Sequence, residues 1–203
     1  MDTFDAIYGR RSIKHYHPDH ELTDEEITKL MEAAIQSPTS FNIQHWRFVL
    51  VQDKETREQL KGAAYNQAQV SDASLLIVLT ADMHAYKKEP ERYWRNSPPE
   101  VGSKLVGMLV GLYDNQPILQ RDEAMRSMGI AAQTIMLAAK SMGYDTGALV
   151  GYDPNKVAEI INLPDDHVLG MMIVVGKATQ QAWGKPGQLS LEDVVVKDKF
   201  PTK

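Results

Sequence analysis

From Arg121 to Met142 the chain carries a helical pattern with almost no polar face: Met128, Ala131, Ala132, Ile135, Met136 and Ala139 recur at helical spacing. A helix of that kind is expected to be buried nearly all round. Gly129 and the alanines leave room for another backbone to approach it. The other elements must therefore supply a cover for it.

Local signals supply the cover. A short helix runs over Thr3 to Tyr8 and stops near Gly9. Thr23 opens a capping box with Glu26, and Ile27, Leu30, Met31, Ala34 and Ile35 follow at helical spacing until Pro38 forbids continuation past Ser37. Trp46 to Gln52 reads as a strand, Asp53 caps a helix over Lys54 to Ala64, and Leu75 to Thr80 reads as a strand apolar on both faces. Residues 82 to 100 show no clear period, and a helix follows from about Val101 to Tyr113. Thr146 to Val150, a helix capped by Asp153 with Pro154 at its first position, and Met171 to Val175 complete the core. Leu191 to Val196 is a valine-rich remainder that needs a sheet to join, its own or a neighbour's.

Two helices ahead of the first strand and irregular strand spacing favour α+β over a doubly wound sheet. With no repeat or linker, residues 1–203 read as a single domain. No aliphatic run approaches the length of a bilayer span, and the acidic start lacks secretory-signal character, so no membrane role and a cytoplasmic location are expected. The absence of cysteine excludes thiol catalysis and thiolate metal sites, so redox chemistry would need a bound cofactor. A net charge of −5 argues against nucleic acid as a general partner.

Four stretches could carry chemistry. Arg10-Arg11-Ser12-Ile13-Lys14 concentrates three cations and a hydroxyl, which suits a phosphate but equally a solvated basic turn. Ser37 to Trp46 gathers hydroxyls and amides where a loop presents them. Asn66-Gln67-Ala68-Gln69 precedes a buried strand, and Thr146 to Asp153 carries glycines that admit a flat ligand. His15, His17 and His20 lack a matching carboxylate set, so no metal is expected. The Rossmann, P-loop and nucleophile-elbow patterns are absent.

Taken in order, Arg-Arg-Ser-x-Lys, Ser-Pro-Thr-Ser-x-Asn-x-Gln-x-Trp, Asn-Gln-x-Gln and Gly-x-x-x-Gly make the chain resemble the FMN-dependent nitroreductase family from about Thr3 to Val175. The resemblance implies a three-layer α/β/α sandwich with a mixed central sheet, its C-terminal segment joining the partner subunit. It implies a homodimer with FMN between subunits, and electrons passing from NADH or NADPH through flavin N5 to nitroaromatic, quinone or similar acceptors by a ping-pong mechanism. A flavin-storage protein or a specialised flavin-dependent dehydrogenase or dehalogenase are the alternatives.

By the same resemblance, Arg10 and Ser12 meet the FMN phosphate with Arg11 beside them, and Lys14 meets the pyrimidine edge. Pro38, Thr39, Ser40 and Asn42 come from the other subunit, and Asn66 and Gln69 lie by the ring. Val150 and Gly151 face N5, and Lys185 completes the phosphate site, although Gln188 stands where an arginine is expected. Val150 departs from a common Glu, and Gln69 from a Lys of some members. No catalytic side chain is implied, because the cofactor carries the reaction.

Overall fold

A computed structural model describes residues 1–201. Its sheet has four strands in the order β1-β2-β4-β3, with β1 Trp46–Val51, β2 Leu75–Asp82, β3 Asp145–Leu149 and β4 His167–Gly176. All three strand pairings are antiparallel, so the expected mixed character is confined to one parallel bridge, Ser12 with Thr146. A register shift between Val78 and Thr80 bends β2 against β4.

The alternation along β2 makes the layers. Leu75, Ile77, Leu79 and Ala81 turn into one core with Ile27 and Leu30 of α2 (Asp24–Ala34) and Met128, Ala132 and Ile135 of α6 (Pro117–Ser141). Leu76 and Val78 turn the other way, onto Leu60 of α3 (Lys54–Ala63) and Val157 of α7 (Pro154–Ile160), with Ile13 and Tyr16. Side chains that point alternately to two faces need cover on both, and helices provide it. The three-layer expectation holds.

A third cluster stands apart. Ile43, Ala85, Tyr86, Tyr93, Leu109 and Tyr113 pack together beneath the excursion from Met83 to Pro98, which holds two short 3-10 turns, and against α5 (Pro99–Tyr113).

The caps read from sequence are present. Thr23 and Glu26 form a reciprocal capping box at α2, and Asp153 accepts from the backbone amides of Asn155 and Lys156 at α7. An equivalent box of Asp2 and Asp5 starts α1 (Thr3–Gly9).

Two expectations need correction. The buried stripe of α6 covers one side only: Gly129, Ile130 and Gln133 are exposed in the single chain. The segment Leu191–Val196 is not a strand. Ser190 and Asp193 form a capping box that nucleates one helical turn, α8 (Leu191–Val194), and a local hydrogen-bonded nucleus outcompetes a strand with no edge beside it. No helix among the described residues is long and apolar enough to cross a membrane.

Candidate functional site

The chain leaves α1 in extended conformation at Arg10 and is then stitched into the structure. Ile13 N–H donates to the Thr146 carbonyl at 3.0 Å, His17 N–H to Lys177, and Thr179 N–H to His15. Ile13 is buried, so in an extended segment its neighbours Ser12 and Lys14 face outward together. Tyr16 lies beneath, its hydroxyl donating to the Ile13 carbonyl at 3.3 Å. Burial, helped by nearby Asp145, pushes that phenol well above its usual range, so it stays a neutral donor.

Arg10, Arg11, Ser12 and Lys14 open onto a cavity of about 700 Å³, and Lys185 comes to it from the C-terminal tail. Four cations line this cavity and no carboxylate does. The tail is held there by the same groups: Arg11 donates to the Trp183 carbonyl, and the Lys14 ammonium sits 4.9 Å from the Trp183 ring centre. Gln133 of α6 closes one side. A donor set of guanidinium, ammonium and hydroxyl without opposing acid suits a phosphate monoester, and the volume suits a ring system attached to it.

The remaining site candidates lie elsewhere on the single chain. Pro38 is exposed; Thr39 accepts from the Gln44 amide at 3.0 Å, and Ser40 from the Tyr113 hydroxyl at 2.9 Å. Asn42 donates to the Tyr93 carbonyl at 2.9 Å, tying this loop to the excursion after β2. Phe41, Asn42 and Gln44 all have φ near +50°, a strained backbone of the sort found where a loop is shaped for binding.

Asn66, Gln69, Val150 and Gly151 form a third grouping, and its link is a residue absent from the sequence-based site: Gln67. Its amide donates to the carbonyls of Gly151 at 2.9 Å and Ala64 at 3.1 Å, while its oxygen accepts from Gln69 at 3.0 Å. Gln69 is buried and its own side-chain oxygen has no partner. Asn66 and Val150 are exposed. Gln67 stands inside the Asn66-Gln67-Ala68-Gln69 amide run, which is visible in the sequence. Trp183 had no signal beyond being a lone aromatic in a polar tail.

The histidines are not gathered. His15 and His17 are exposed, and His20 shares a hydrogen bond with Ser74 at 3.1 Å. Asp82, Asp166 and His167 do converge, but the Lys88 ammonium already bridges Asp82 at 2.8 Å and Asp166 at 2.5 Å. A resident lysine supplies the cation there.

A model of the Nitroreductase family matches residues 7–177. The chain belongs to the nitroreductase family. It is 55% identical to Protein DrgA of Synechocystis sp. across 94% of this chain and 93% of that protein. It is 29% identical to the oxygen-insensitive NADPH nitroreductase of Helicobacter pylori across 85% and 86%. Among solved structures, a protein from Exiguobacterium sibiricum in complex with FMN superposes at TM-score 0.90, with 29% identity and 97% of each chain covered. The family match spans Arg10 to Lys14 and the Val150–Gly151 turn; Trp183 and Lys185 lie beyond it.

Proposed function

We propose that this nitroreductase-family chain is an FMN-dependent NAD(P)H oxidoreductase, one domain over residues 1–203, acting as a homodimer in the cytoplasm, where reduced pyridine nucleotides are replenished. The observation that carries this reading is the cavity that holds Arg10, Arg11, Ser12, Lys14 and Lys185 and is lined by no carboxylate.

Arg10, Arg11 and Ser12 would hold the FMN phosphate by charge-assisted hydrogen bonds. Lys14 would supply a fixed positive charge to the flavin ring, favouring its reduced, more negative form. Gln67 holds the Gly151 carbonyl and so sets the direction of the Val150–Gly151 turn, whose backbone N–H would face N5. Bound FMN supplies the hydride-accepting and electron-donating chemistry, and no side chain is required as acid or base. Donor and acceptor take turns at one exposed face, with nitroaromatics, quinones or similar conjugated molecules as acceptors.

The homodimer rests on the surface left uncovered. Ile7 and Tyr8 of α1, Met108 and Leu112 of α5, Ile130 of α6 and the tail residues Leu189 and Leu191 are all exposed. That much apolar surface on one chain fits a subunit interface. Such an interface would bring the Pro38–Asn42 loop of one copy to the Arg10 cavity of another, and would give the tail a partner to lie on.

The test is spectroscopic. Purified protein is expected to show the visible absorption of flavin, and the band is expected to bleach anaerobically with NADH or NADPH. A colourless protein that takes up no added FMN would overturn the reading. FMN uptake without bleaching would reduce it to a flavin-binding protein.

A further inference from the structure

Three arginines converge on a second pocket, which shares no lining residue with the Arg10 cavity. Arg47 at the start of β1 and Arg92 and Arg95 in the excursion after β2 line a pocket of about 340 Å³, together with Asn42, Gln44 and Asn96. No carboxylate lines it. In a chain of net charge −5, three guanidiniums on one small concavity repel one another unless an anion joins them.

The nearby acids do not neutralise the trio. Asp82 lies 3.8 Å from Arg47 but is already held by Lys88 at 2.8 Å, and Glu89 lies 3.9 Å from Arg92 with its side chain almost wholly in water. Arg95 is exposed to solvent. Arg47 is fixed in place: one of its terminal nitrogens donates to the carbonyls of Gln44 and Trp46, each at 2.9 Å. Arg92 is steadied by a 3.0 Å hydrogen bond to the Tyr93 hydroxyl. Two guanidiniums are thus pre-positioned and the third is free to close on a ligand.

The location adds to the chemistry. Asn42 and Gln44, two of the strained residues of the 41–44 loop, form one wall, and the Asn42 to Tyr93 hydrogen bond joins the two sides. Trp46 also lines the pocket, is 6% exposed, and its indole N–H has no acceptor. The same loop carries Pro38, Thr39 and Ser40, which the proposed function sends to the flavin.

We propose that Arg47, Arg92 and Arg95 form a receptor for an oxyanion, phosphate or carboxylate, borne by the small molecule that comes to the flavin. This rests on the oxidoreductase reading above. Two sources share the chemistry: the 2′-phosphate of NADPH, and a carboxylate on an aromatic acceptor. Guanidinium pairs either one through two parallel hydrogen bonds.

Flavin content separates a failure of this proposal from a failure of the reading beneath it. Arg95→Ala and Arg92→Ala are prepared as holoprotein, with FMN content and melting temperature confirming an intact fold. If NADPH is the source, the ratio of kcat/KM for NADPH over NADH falls about tenfold or more in each variant, the scale of one charge-assisted hydrogen bond. Adenosine 2′,5′-bisphosphate then binds the wild type in calorimetry more tightly than AMP does, and the variants lose that difference. If an acceptor is the source, the nucleotide ratio holds, and the ratio for 4-nitrobenzoate over nitrobenzene falls instead. Variants that retain FMN and keep both ratios within twofold of wild type overturn the proposal.

Discussion

The Ile13 carbonyl lies 2.8 Å from the point where a Cβ on Gly147 would stand, with the Tyr16 hydroxyl 3.3 Å and Val174 3.2 Å away. Glycine is therefore required by the protein's own backbone: the strand-like segment 12–14 and β3 can only meet if position 147 has no side chain. Gly147→Ala is expected to cost about 1–3 kcal/mol through overpacking, and to pull Ser12 and Lys14 from their common side. Urea unfolding and FMN titration read the two effects. A variant as stable as wild type would show that Ile13 moves freely.

Arg10→Ala is expected to weaken FMN binding by about 1.5–3 kcal/mol, the scale of a charged hydrogen bond. Stability without FMN should change little, since Arg10 is half-exposed and sits past the end of α1. An unchanged FMN affinity in fluorescence titration would remove Arg10 from the phosphate site.

His45 gives the fold a pH dependence. It is 1% exposed, its ring is 3.3 Å from the Ser127 hydroxyl, and burial pushes its pKa down to about 4 from 6.5. Between those two values the unfolded chain binds a proton that the folded chain refuses. Stability is thus full above pH 6.5 and falls as pH drops toward 4, by about 3 kcal/mol in all. Urea midpoints from pH 7 to 4 would show the decline, and His45→Asn should flatten it. An equally steep decline in that variant would assign the effect to other groups.

Lys88 holds two acids together, of which the Asp82 side chain is only 4% exposed. Hydrogen bonds from Lys88 and His167 hold the Asp166 carboxyl down at about 2. Lys88→Ala leaves the buried Asp82 with the His84 backbone N–H at 2.9 Å and Arg47 at 3.8 Å, so a loss of about 2–3 kcal/mol is expected, below that of a fully buried pair because the lysine is partly in water. Asp82→Asn introduced into that background should recover part of the loss. Thermal melts of the single and double variants measure the coupling.

Periodicity and caps made most of the scaffold legible. Thr23 with Glu26 and Asp153 with Pro154 announce helices by local hydrogen bonding, and the doubly apolar β2 announces cover on both faces. Leu191–Val196 misled because valine content speaks for a strand only where an edge exists, whereas Ser190 and Asp193 act within one turn. In the site, the contiguous Arg10–Lys14 block was readable because its chemistry lies in one stretch of chain. The Arg47, Arg92 and Arg95 pocket was not, since its members lie on separate elements and only the excursion after β2 brings them together. Gln67 shows a third case: the residue type was visible, but its bond to Gly151, 84 positions away, was not.

The small cluster of Ile43, Tyr86, Tyr93, Leu109 and Tyr113 is separate from both faces of the sheet. It is joined to the 40–42 loop instead, where the Tyr113 hydroxyl donates to Ser40 and Asn42 donates to the Tyr93 carbonyl. Loss of either tyrosine would therefore loosen that loop while both faces of the sheet stay packed.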